Sequence, residues 1–385
     1  MKETGKGPAI LRLNNEKRVM AALRRLQVTS RQDLSRYLAL SKNTVSLIID
    51  ELIEAGLIEE RGPVASYAAG RRKIEIALRP DRLLSAGIMI ERQQIHLRVC
   101  DYFSRVLKEE TWSTQTRDPA SLFNELGLRC QLLTHSYPAL LGIAIGFPGI
   151  IDPQRGWMHH SSHLGWRDVD ILSPLQAMLT LPLWVMNNVK AAALLGVQRA
   201  TTAETAADRF YLRVAEGVGG ALIQRGEVYT GSSWTAGEVG HLIVQPAGEK
   251  CTCGRKGCLE TVISIPAVQR QLARHAPGLS WQNRASAPQI VDAVMRQIGE
   301  LLGNALGQIM LLLNPADIVI DCPWNIHSGF VETVRTSSAV SALTFTSRRT
   351  GLHFLREHID PAQGLALAVI EHYERPMISV ASSAQ

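Results

Sequence analysis

One short segment of the chain gathers residue types that bind metal ions. It reads GHLIVQPAGEKCTCGRKGCLE and contains His241, Cys251, Cys253 and Cys258. Three thiolates and one imidazole form the Cys3His set of a closed tetrahedral zinc site. The glycines of the segment allow the tight folding that four ligands around one ion require. We therefore predict one structural zinc ion per chain, in preference to a disulfide or to reduced core cysteines.

The expected compartment favours a metal site over a disulfide. The N-terminal stretch MKETGKGPAILRLNNEKRVM lacks the apolar run of a signal peptide. No later segment reaches the roughly 18 uncharged apolar residues of a membrane span. We expect a cytoplasmic protein without a membrane partner, where thiols stay reduced. Cys100, Cys130 and Cys322 have no close partners in sequence and are interpreted as core residues.

The charge of the chain lies entirely in its N-terminal fifth. Residues 1 to 73 hold 14 Lys and Arg against 8 Asp and Glu, a net charge of +6 that equals the charge of the whole chain. The rest is therefore neutral. This distribution is typical of a nucleic-acid-binding module fused to a small-molecule domain, with a solvated basic tail as the alternative.

Hydrophobic spacing predicts three helices in this basic region. In NEKRVMAALRRLQ, the side chains of Val19, Leu23 and Leu26 share one stripe, and Arg24 and Arg25 are expected to face outward. A second helix begins at Thr29 or Ser30, and a third, capped by Ser41, ends at Gly56. The last two helices form a predicted helix-turn-helix.

The polar residues at the leading end of the third helix are the candidate DNA contacts. Two strands around a turn follow this helix and form a predicted wing with basic residues near its tip. A recognition helix enters the major groove with its N-terminal residues foremost, and a basic wing contacts phosphates or the minor groove. The predicted DNA-binding residues are Lys42, Asn43, Thr44, Ser46, Arg71 and Arg72.

The remaining three hundred residues have the pattern of an α/β protein. Three consecutive strands are predicted from residue 81 onward, and helices and short apolar strands then alternate. This alternation predicts either one α/β domain or two similar lobes with a cleft between them.

Four segments of this region resemble the ROK family of repressors, open reading frames and kinases. They are GIAIGFPGIIDPQRG, HLGW, TAGEVGH and CTCGRKGCLE. The resemblance covers residues 81 to 375 and implies a two-lobed, actin-like sugar-kinase fold. With the winged helix-turn-helix in front, it implies three domains. They are residues 1–80 for DNA binding, 81–195 for the first lobe, and 196–385 for the second lobe with the zinc loop, the last helix packing back on the first lobe.

The resemblance also implies a sugar site. Glu238 and His241 of TAGEVGH, and Glu260 of GCLE, match family residues that contact sugar hydroxyls. Asn187 and Asn188 are the further sugar-binding candidates. The zinc loop would then act as a clamp that holds His241 and Glu260. The family commonly has asparagine before LGW, where this chain has His163, so the sugar itself is not identified.

The kinase parts of the family pattern are altered. The catalytic END segment is Met186, Asn187 and Asn188 here, and asparagine cannot accept a proton at neutral pH. No Asp or Glu lies between Asp170 and Glu204. The first phosphate loop lacks glycine at residues 91–94. Glu216 replaces a threonine of the second, and Asp321 and Cys322 replace a glycine pair. We predict a domain that binds a sugar without phosphorylating it.

Together these features predict a sugar-responsive transcriptional regulator, a repressor, with a catalytically inactive ROK domain. Its partners would be a double-stranded DNA operator and a sugar or sugar phosphate effector. The chain would act as a homodimer or homotetramer. Two alternatives stay open at this point. One is an ATP-dependent sugar kinase with a DNA-binding arm, and the other is a DNA-binding protein whose ROK body is only an oligomerisation scaffold.

Overall fold

The computed structural model describes residues 6–63, 73–200 and 207–376. The chain divides into two compact units. The first comprises Met1–Gly146, Asp170–Val185 and Leu365–Gln385, and the second comprises Phe147–Val169 and Met186–Gly364. The chain is mixed α/β, as the sequence predicts. The division of the chain at residues 80 and 195 stays a prediction.

The first elements are three helices and three short strands. In chain order they are α1 (Lys6–Leu26), β1 (Val28–Ser30), α2 (Arg31–Leu38), α3 (Lys42–Glu54), β2 (Ile58–Pro63) and β3 (Ile74–Leu78). Ser30 caps α2 by accepting a hydrogen bond from the amide of Asp33, and Ser41 caps α3 by accepting one from the amide of Thr44. Such caps satisfy amides that the first helical turn leaves without partners. The strands form one sheet in the order β1-β3-β2, of which β1 was not predicted.

The predicted outward position of Arg24 is wrong. The apolar stripe of α1 is buried at Val19 and Leu23, as expected, whereas Leu26, the third residue assigned to it, is 37% exposed. Arg24, however, donates two hydrogen bonds of 2.7 Å to the carboxylate of Glu374, near the other end of the chain. Both side chains are nearly inaccessible, at 8% and 7% exposure. A second face of α1 is therefore buried. Arg24 can lie on this face because the carboxylate of Glu374 pairs with it there.

The first five-stranded sheet is built from the segment that follows. Its elements are β4 (Leu84–Ile90), β5 (Gln94–Cys100), β6 (Val106–Ser113), α4 (Pro119–Ser136) and β7 (Leu140–Phe147). Next come β8 (Ile150–Asp152), β9 (Trp157–Ser161), β10 (Trp166–Asp170), α5 (Leu172–Gln176), β11 (Leu183–Asn187) and α6 (Asn188–Ala200). Strands β4, β5 and β6 are the three consecutive strands predicted from residue 81, and they pair antiparallel. The sheet order is β11-β7-β4-β5-β6, and β8, β9 and β10 form a separate sheet.

A second five-stranded sheet repeats the order of the first. The remaining elements are β12 (Arg209–Val214), β13 (Val218–Gln224), β14 (Glu227–Tyr229), α7 (Glu260–Ile263), α8 (Ile265–His275) and α9 (Pro288–Leu313). They continue with β15 (Asp317–Asp321), α10 (Ser328–Ser341), α11 (Thr344–Ser347), β16 (Gly351–Phe354) and α12 (Pro361–Glu374). The order β14-β13-β12-β15-β16 again places an antiparallel three-strand meander beside two later strands. The chain thus builds the same sheet twice.

The helices of the second unit are packed by small residues and apolar faces. In α9, Gly299, Gly303 and Gly307 face α10, where an added Cβ would meet backbone or Cβ atoms of that helix. Much of α9 is buried in the core of its unit. Among the described residues, no helix combines the length and the apolar character needed to cross a bilayer. Cys100, Cys130 and Cys322 are buried, which confirms their interpretation as core residues.

Candidate metal and ligand site

The predicted metal ligands lie together in one tightly folded loop. His241 ends a single 3-10 turn, Val239–His241, and the three cysteines follow in the next 17 residues. Gly257 has a φ of 73°, and any Cβ there would collide with the carbonyl oxygen of Gln245. Only glycine fits this position, because its backbone conformation and its close contact both exclude a side chain.

The spacing of the four donor atoms fits a tetrahedral metal ion. The Sγ of Cys251 lies 3.6 Å from Nδ1 of His241, and the Sγ atoms of Cys253 and Cys258 are 3.6 Å apart. All four donor atoms lie within 4.8 Å of one another. Zinc bonds of about 2.3 Å to sulfur and about 2.1 Å to nitrogen would separate two sulfurs by about 3.8 Å and sulfur from nitrogen by about 3.6 Å. The cluster could therefore hold a metal ion, and its donor set suits zinc.

One thiol of the cluster is prepared for ionisation. Hydrogen bonds from the backbone and side chain of Arg255 lower the pKa of Cys253 to about 6. A thiolate is the form that binds metal, so this pKa favours metal binding at neutral pH. Cys251 and Cys258 are buried, whereas Cys253 is exposed.

Two of the predicted sugar-binding residues flank this cluster. Glu238 immediately precedes the turn that ends at His241, and its side chain is accessible to solvent. Partial desolvation raises the pKa of Glu238, against the opposing effects of His241 and Lys190. Glu260 begins α7, and its Oε2 accepts a hydrogen bond of 3.0 Å from the amide of Val218. The structure thus brings Glu238, His241 and Glu260 to the neighbourhood of the cluster.

The two predicted asparagines lie where β11 passes into α6. The Nδ2 of Asn187 donates to the carbonyl of Gly149 at 2.9 Å. Its Oδ1 accepts hydrogen bonds from the amides of Val189 and Lys190, so Asn187 also caps α6. Asn188 is the first residue of that helix. The polar atoms of Asn187 are therefore already used within the protein, and its contact with a sugar stays a prediction.

Sequence reasoning did not select Lys190, which lies in the first turn of α6. Lys190 is only 7% exposed, and its Nζ donates to the carbonyl of Trp234 at 2.6 Å. Burial lowers the pKa of Lys190, against the opposing effect of Glu238. The available signal was a cation directly before the apolar run AAALLG. On a helix, however, that pattern fits a lysine reaching solvent equally well.

The candidate DNA contacts lie at the first turn of α3. Lys42 and Asn43 are exposed, whereas Thr44 and Ser46 are half-buried. The hydroxyl of Thr44 lies 2.8 Å from that of Ser41, the residue that caps the helix. Arg71 and Arg72 lie outside the described residues.

The segments that bind nucleotide in kinases have other contacts here. The amide of Glu91 donates to the carbonyl of Gln94 in the turn between β4 and β5. Asp321 is 1% exposed and accepts hydrogen bonds from Tyr211 at 2.5 Å and from Arg213 at 2.7 Å. His358 also contacts this carboxylate at 2.5 Å. These partners and burial have opposing effects, and the net result is a lowered pKa for Asp321.

Comparison with known proteins identifies the family of the chain. Residues 85–360 match the ROK family model, and the chain belongs to the ROK family. It is 26% identical over 350 residues to the DNA-binding transcriptional dual regulator NagC of Escherichia coli K12, covering 86% of this chain and 85% of that protein. It is 24% identical over 371 residues to the xylose repressor of Bacillus subtilis, covering 93% of this chain and 95% of that protein.

Solved structures show the same fold. A ROK family transcriptional regulator, a homologue of the Escherichia coli MLC protein, matches with a TM-score of 0.79 and 21% identity, covering 95% of this chain and 97% of that one. A ROK family glucokinase from Streptomyces griseus matches with a TM-score of 0.62 and 20% identity, covering 74% of this chain and 98% of that one. The chain therefore has the actin-like sugar-kinase fold that the motifs imply.

Proposed function

We propose that this chain is a sugar-responsive, DNA-binding transcriptional regulator, and specifically a repressor. The observation that carries the proposal is the extent of similarity to regulators. The transcriptional regulator structure covers 95% of the chain, whereas the glucokinase covers 74%. Three relatives named repressors align over 81%, 86% and 93% of this chain. A function of the actin-like part alone would not explain the basic N-terminal segment, whereas a DNA-binding regulator explains both.

The N-terminal segment acts in this proposal as a winged helix-turn-helix. Helix α3 would enter the major groove, where exposed Lys42 and Asn43 reach base edges or phosphates. Thr44 and Ser46 are less accessible, and their contacts would be secondary. Arg71 and Arg72 would contact the DNA backbone from the wing.

The second unit would bind the sugar and the metal. Glu238, His241 and Glu260 supply acceptors and an imidazole for sugar hydroxyls, and Asn187 and Asn188 are the further candidates. If Nδ1 of His241 binds zinc, its Nε2 has a fixed direction from which it can contact a ligand. A bound zinc ion would supply structural cross-linking of the loop.

The proposed regulator has no kinase activity. Asn188 replaces the carboxylate that removes the proton of the attacking hydroxyl, and loss of a general base typically lowers the rate by about 10² to 10⁴. The buried contacts of Asp321 fill a position where kinases often carry glycines. A coupled assay of ADP release with hexoses should therefore detect no turnover.

The chain would act as a homodimer or homotetramer on a roughly palindromic operator. Sugar binding regulates only if the sugar has different affinities for the DNA-binding and released conformations. Wild type should therefore lose affinity for its operator when the cognate sugar is added.

Selection of bound fragments from genomic DNA at about 0.15 M salt tests the DNA-binding part, since non-specific phosphate contacts are partly screened there. Wild type should recover one palindromic site. Asn43→Ala should weaken binding by about 1 to 3 kcal/mol and relax the sequence preference, whereas Lys42→Ala should mainly reduce the salt dependence. Lys108→Ala, on a half-buried lysine of β6 that pairs with Glu110, is the control. Absence of any specific site would contradict the proposal.

A further inference from the structure

We propose that Lys190 is a specificity-determining residue of the ligand site, where it donates a hydrogen bond to a ligand hydroxyl that in turn donates to Glu238. The inference rests on the proposed function, because it assumes that the second unit binds a sugar. Lys190 is not among the ligand-binding residues predicted from the sequence.

Lys190 has unused hydrogen-bonding capacity. An ammonium group has three N–H donors. Within the described part of the chain, the Nζ of Lys190 has one hydrogen-bond acceptor, the carbonyl of Trp234, and no carboxylate lies within ion-pair distance. Removing such a charge from water is unfavourable unless its donors find partners. Two N–H groups of Lys190 can therefore donate to a bound ligand.

The carboxylate whose charge acts on Lys190 is that of Glu238, and the two groups are not paired. Glu238 and Lys190 influence each other electrostatically. Among the described residues, however, the carboxylate of Glu238 makes no hydrogen bond or ion pair. The side chain of Glu238 is accessible to solvent, so a ligand can reach it. In the proposed site, one ligand hydroxyl contacts both this carboxylate and the ammonium.

The residue that offers its carbonyl group to Lys190 has an unusual backbone conformation. Trp234 has a φ of 61°, a left-handed conformation that bulky residues rarely adopt. Its ring stacks on His159 at 4.7 Å, which helps to hold this conformation. The Nε2 of His159 is buried and has no hydrogen-bond partner among the described residues. The ring of His159 thus places a second polar atom beside Trp234.

The charges identify the ligand group as a hydroxyl. A hydroxyl can accept a hydrogen bond from the ammonium and donate one to the carboxylate at the same time. A phosphate or carboxylate could accept from Lys190, but Glu238 would repel it. The ligand should therefore present an uncharged sugar hydroxyl at this point, whatever groups it carries elsewhere.

Calorimetric titration with sugars tests the inference on the full-length chain. The probes are N-acetylglucosamine, glucose and xylose, followed by the monodeoxy analogues of whichever sugar binds wild type. One deoxy analogue should bind wild type about 10-fold more weakly than the parent. Lys190→Met should weaken parent binding about 10-fold but leave binding of that analogue unchanged. Lys190→Gln provides a second variant, and Arg199→Met removes an exposed cation from the same helix as the control.

The outcomes distinguish the role of Lys190 from the proposed sugar binding. If wild type binds a sugar and Lys190→Met binds it equally well, the inference is wrong while the proposed function stands. If Lys190→Met weakens the parent and every analogue by the same factor, Lys190 has only a structural role, which also overturns the inference. If wild type binds none of the probe sugars, the proposed sugar response fails together with the inference.

Discussion

Two buried cations in this chain face carboxylates in opposite ways. In the first unit, Arg24 donates two hydrogen bonds of 2.7 Å to Glu374, and water is nearly excluded from both side chains. In the second unit, Lys190 is 7% exposed and bonds a backbone carbonyl, while Glu238, the carboxylate whose charge acts on it, remains accessible and unpaired among the described residues.

The Arg24–Glu374 interaction stabilises the fold, whereas the separated charges of Lys190 and Glu238 could bind a ligand. A buried ion pair with ideal geometry has no capacity left for a third group, and removing one partner leaves an uncompensated charge. A separated pair keeps donors and acceptors available, at a loss in stability that a ligand can restore. If the proposal for Lys190 holds, the state of the partners, and not burial, distinguishes a structural charge from a ligand-binding one.

The largest expected effect comes from removing a metal ligand. Cys253→Ser should lose the single zinc ion per chain and unfold more readily than any other variant considered, since structural zinc contributes about 10 kcal/mol or more to folding in small domains. Sugar affinity should be lost as well, because His241 belongs to the cluster. Elemental analysis and denaturation measure both effects, with Thr252→Ser as the control. Retained folding without zinc would show that the loop does not need the metal.

Breaking the ion pair between Arg24 and Glu374 should have the next largest effect on stability. Arg24→Met leaves Glu374 buried without its partner, and we expect a loss of about 3 to 5 kcal/mol in the free energy of unfolding. Arg25→Met, its exposed neighbour on α1, should change stability by less than about 0.5 kcal/mol. Urea denaturation of both variants makes the comparison. Equal stability would mean that the pair contributes little.

A second carboxylate near the Arg24–Glu374 ion pair makes the stability of the protein depend on pH. Burial raises the pKa of Glu371 to about 7, against the opposing effect of Arg24. Because this pKa exceeds the unfolded value of about 4.3, the folded state binds the extra proton, and stability falls as pH rises between these two values. Glu371→Gln should therefore stabilise the protein by about 1 to 2 kcal/mol at pH 8 but not at pH 4. An equal effect at both pH values would refute this assignment.

Removing the buried cation of Lys190 should have the smallest effect on stability. The pKa of Lys190 is lowered by burial, so its charge disfavours folding at neutral pH, and this loss disappears only as pH rises above the folded pKa. Lys190→Met should therefore be as stable as wild type or up to about 1 kcal/mol more stable at pH 7. A loss comparable with that of Arg24→Met would remove the distinction between the two pairs.

Local signals in the sequence predicted much of the fold. Ser30 and Ser41 identify helix starts because capping depends on residues three positions apart. The spacing of His241 and the three cysteines predicted the group of four donor atoms that could hold a metal ion. The burial of Arg24 was not predictable, since its partner lies 350 positions away and helical spacing describes only one apolar face. The role of Asn187 as a helix cap also escaped prediction, because a motif gives residue types but not the direction of their hydrogen bonds.

The most direct test of the central claim is the affinity of the chain for its selected operator, measured by fluorescence anisotropy during sugar titration without ATP. The account predicts that one sugar releases wild type from the DNA, and that Glu238→Ala binds the same DNA with equal affinity but no longer responds. If no free or phosphorylated sugar alters the affinity of wild type, the chain is not a sugar-responsive regulator. Its ROK body would then act as a scaffold or answer to another kind of signal.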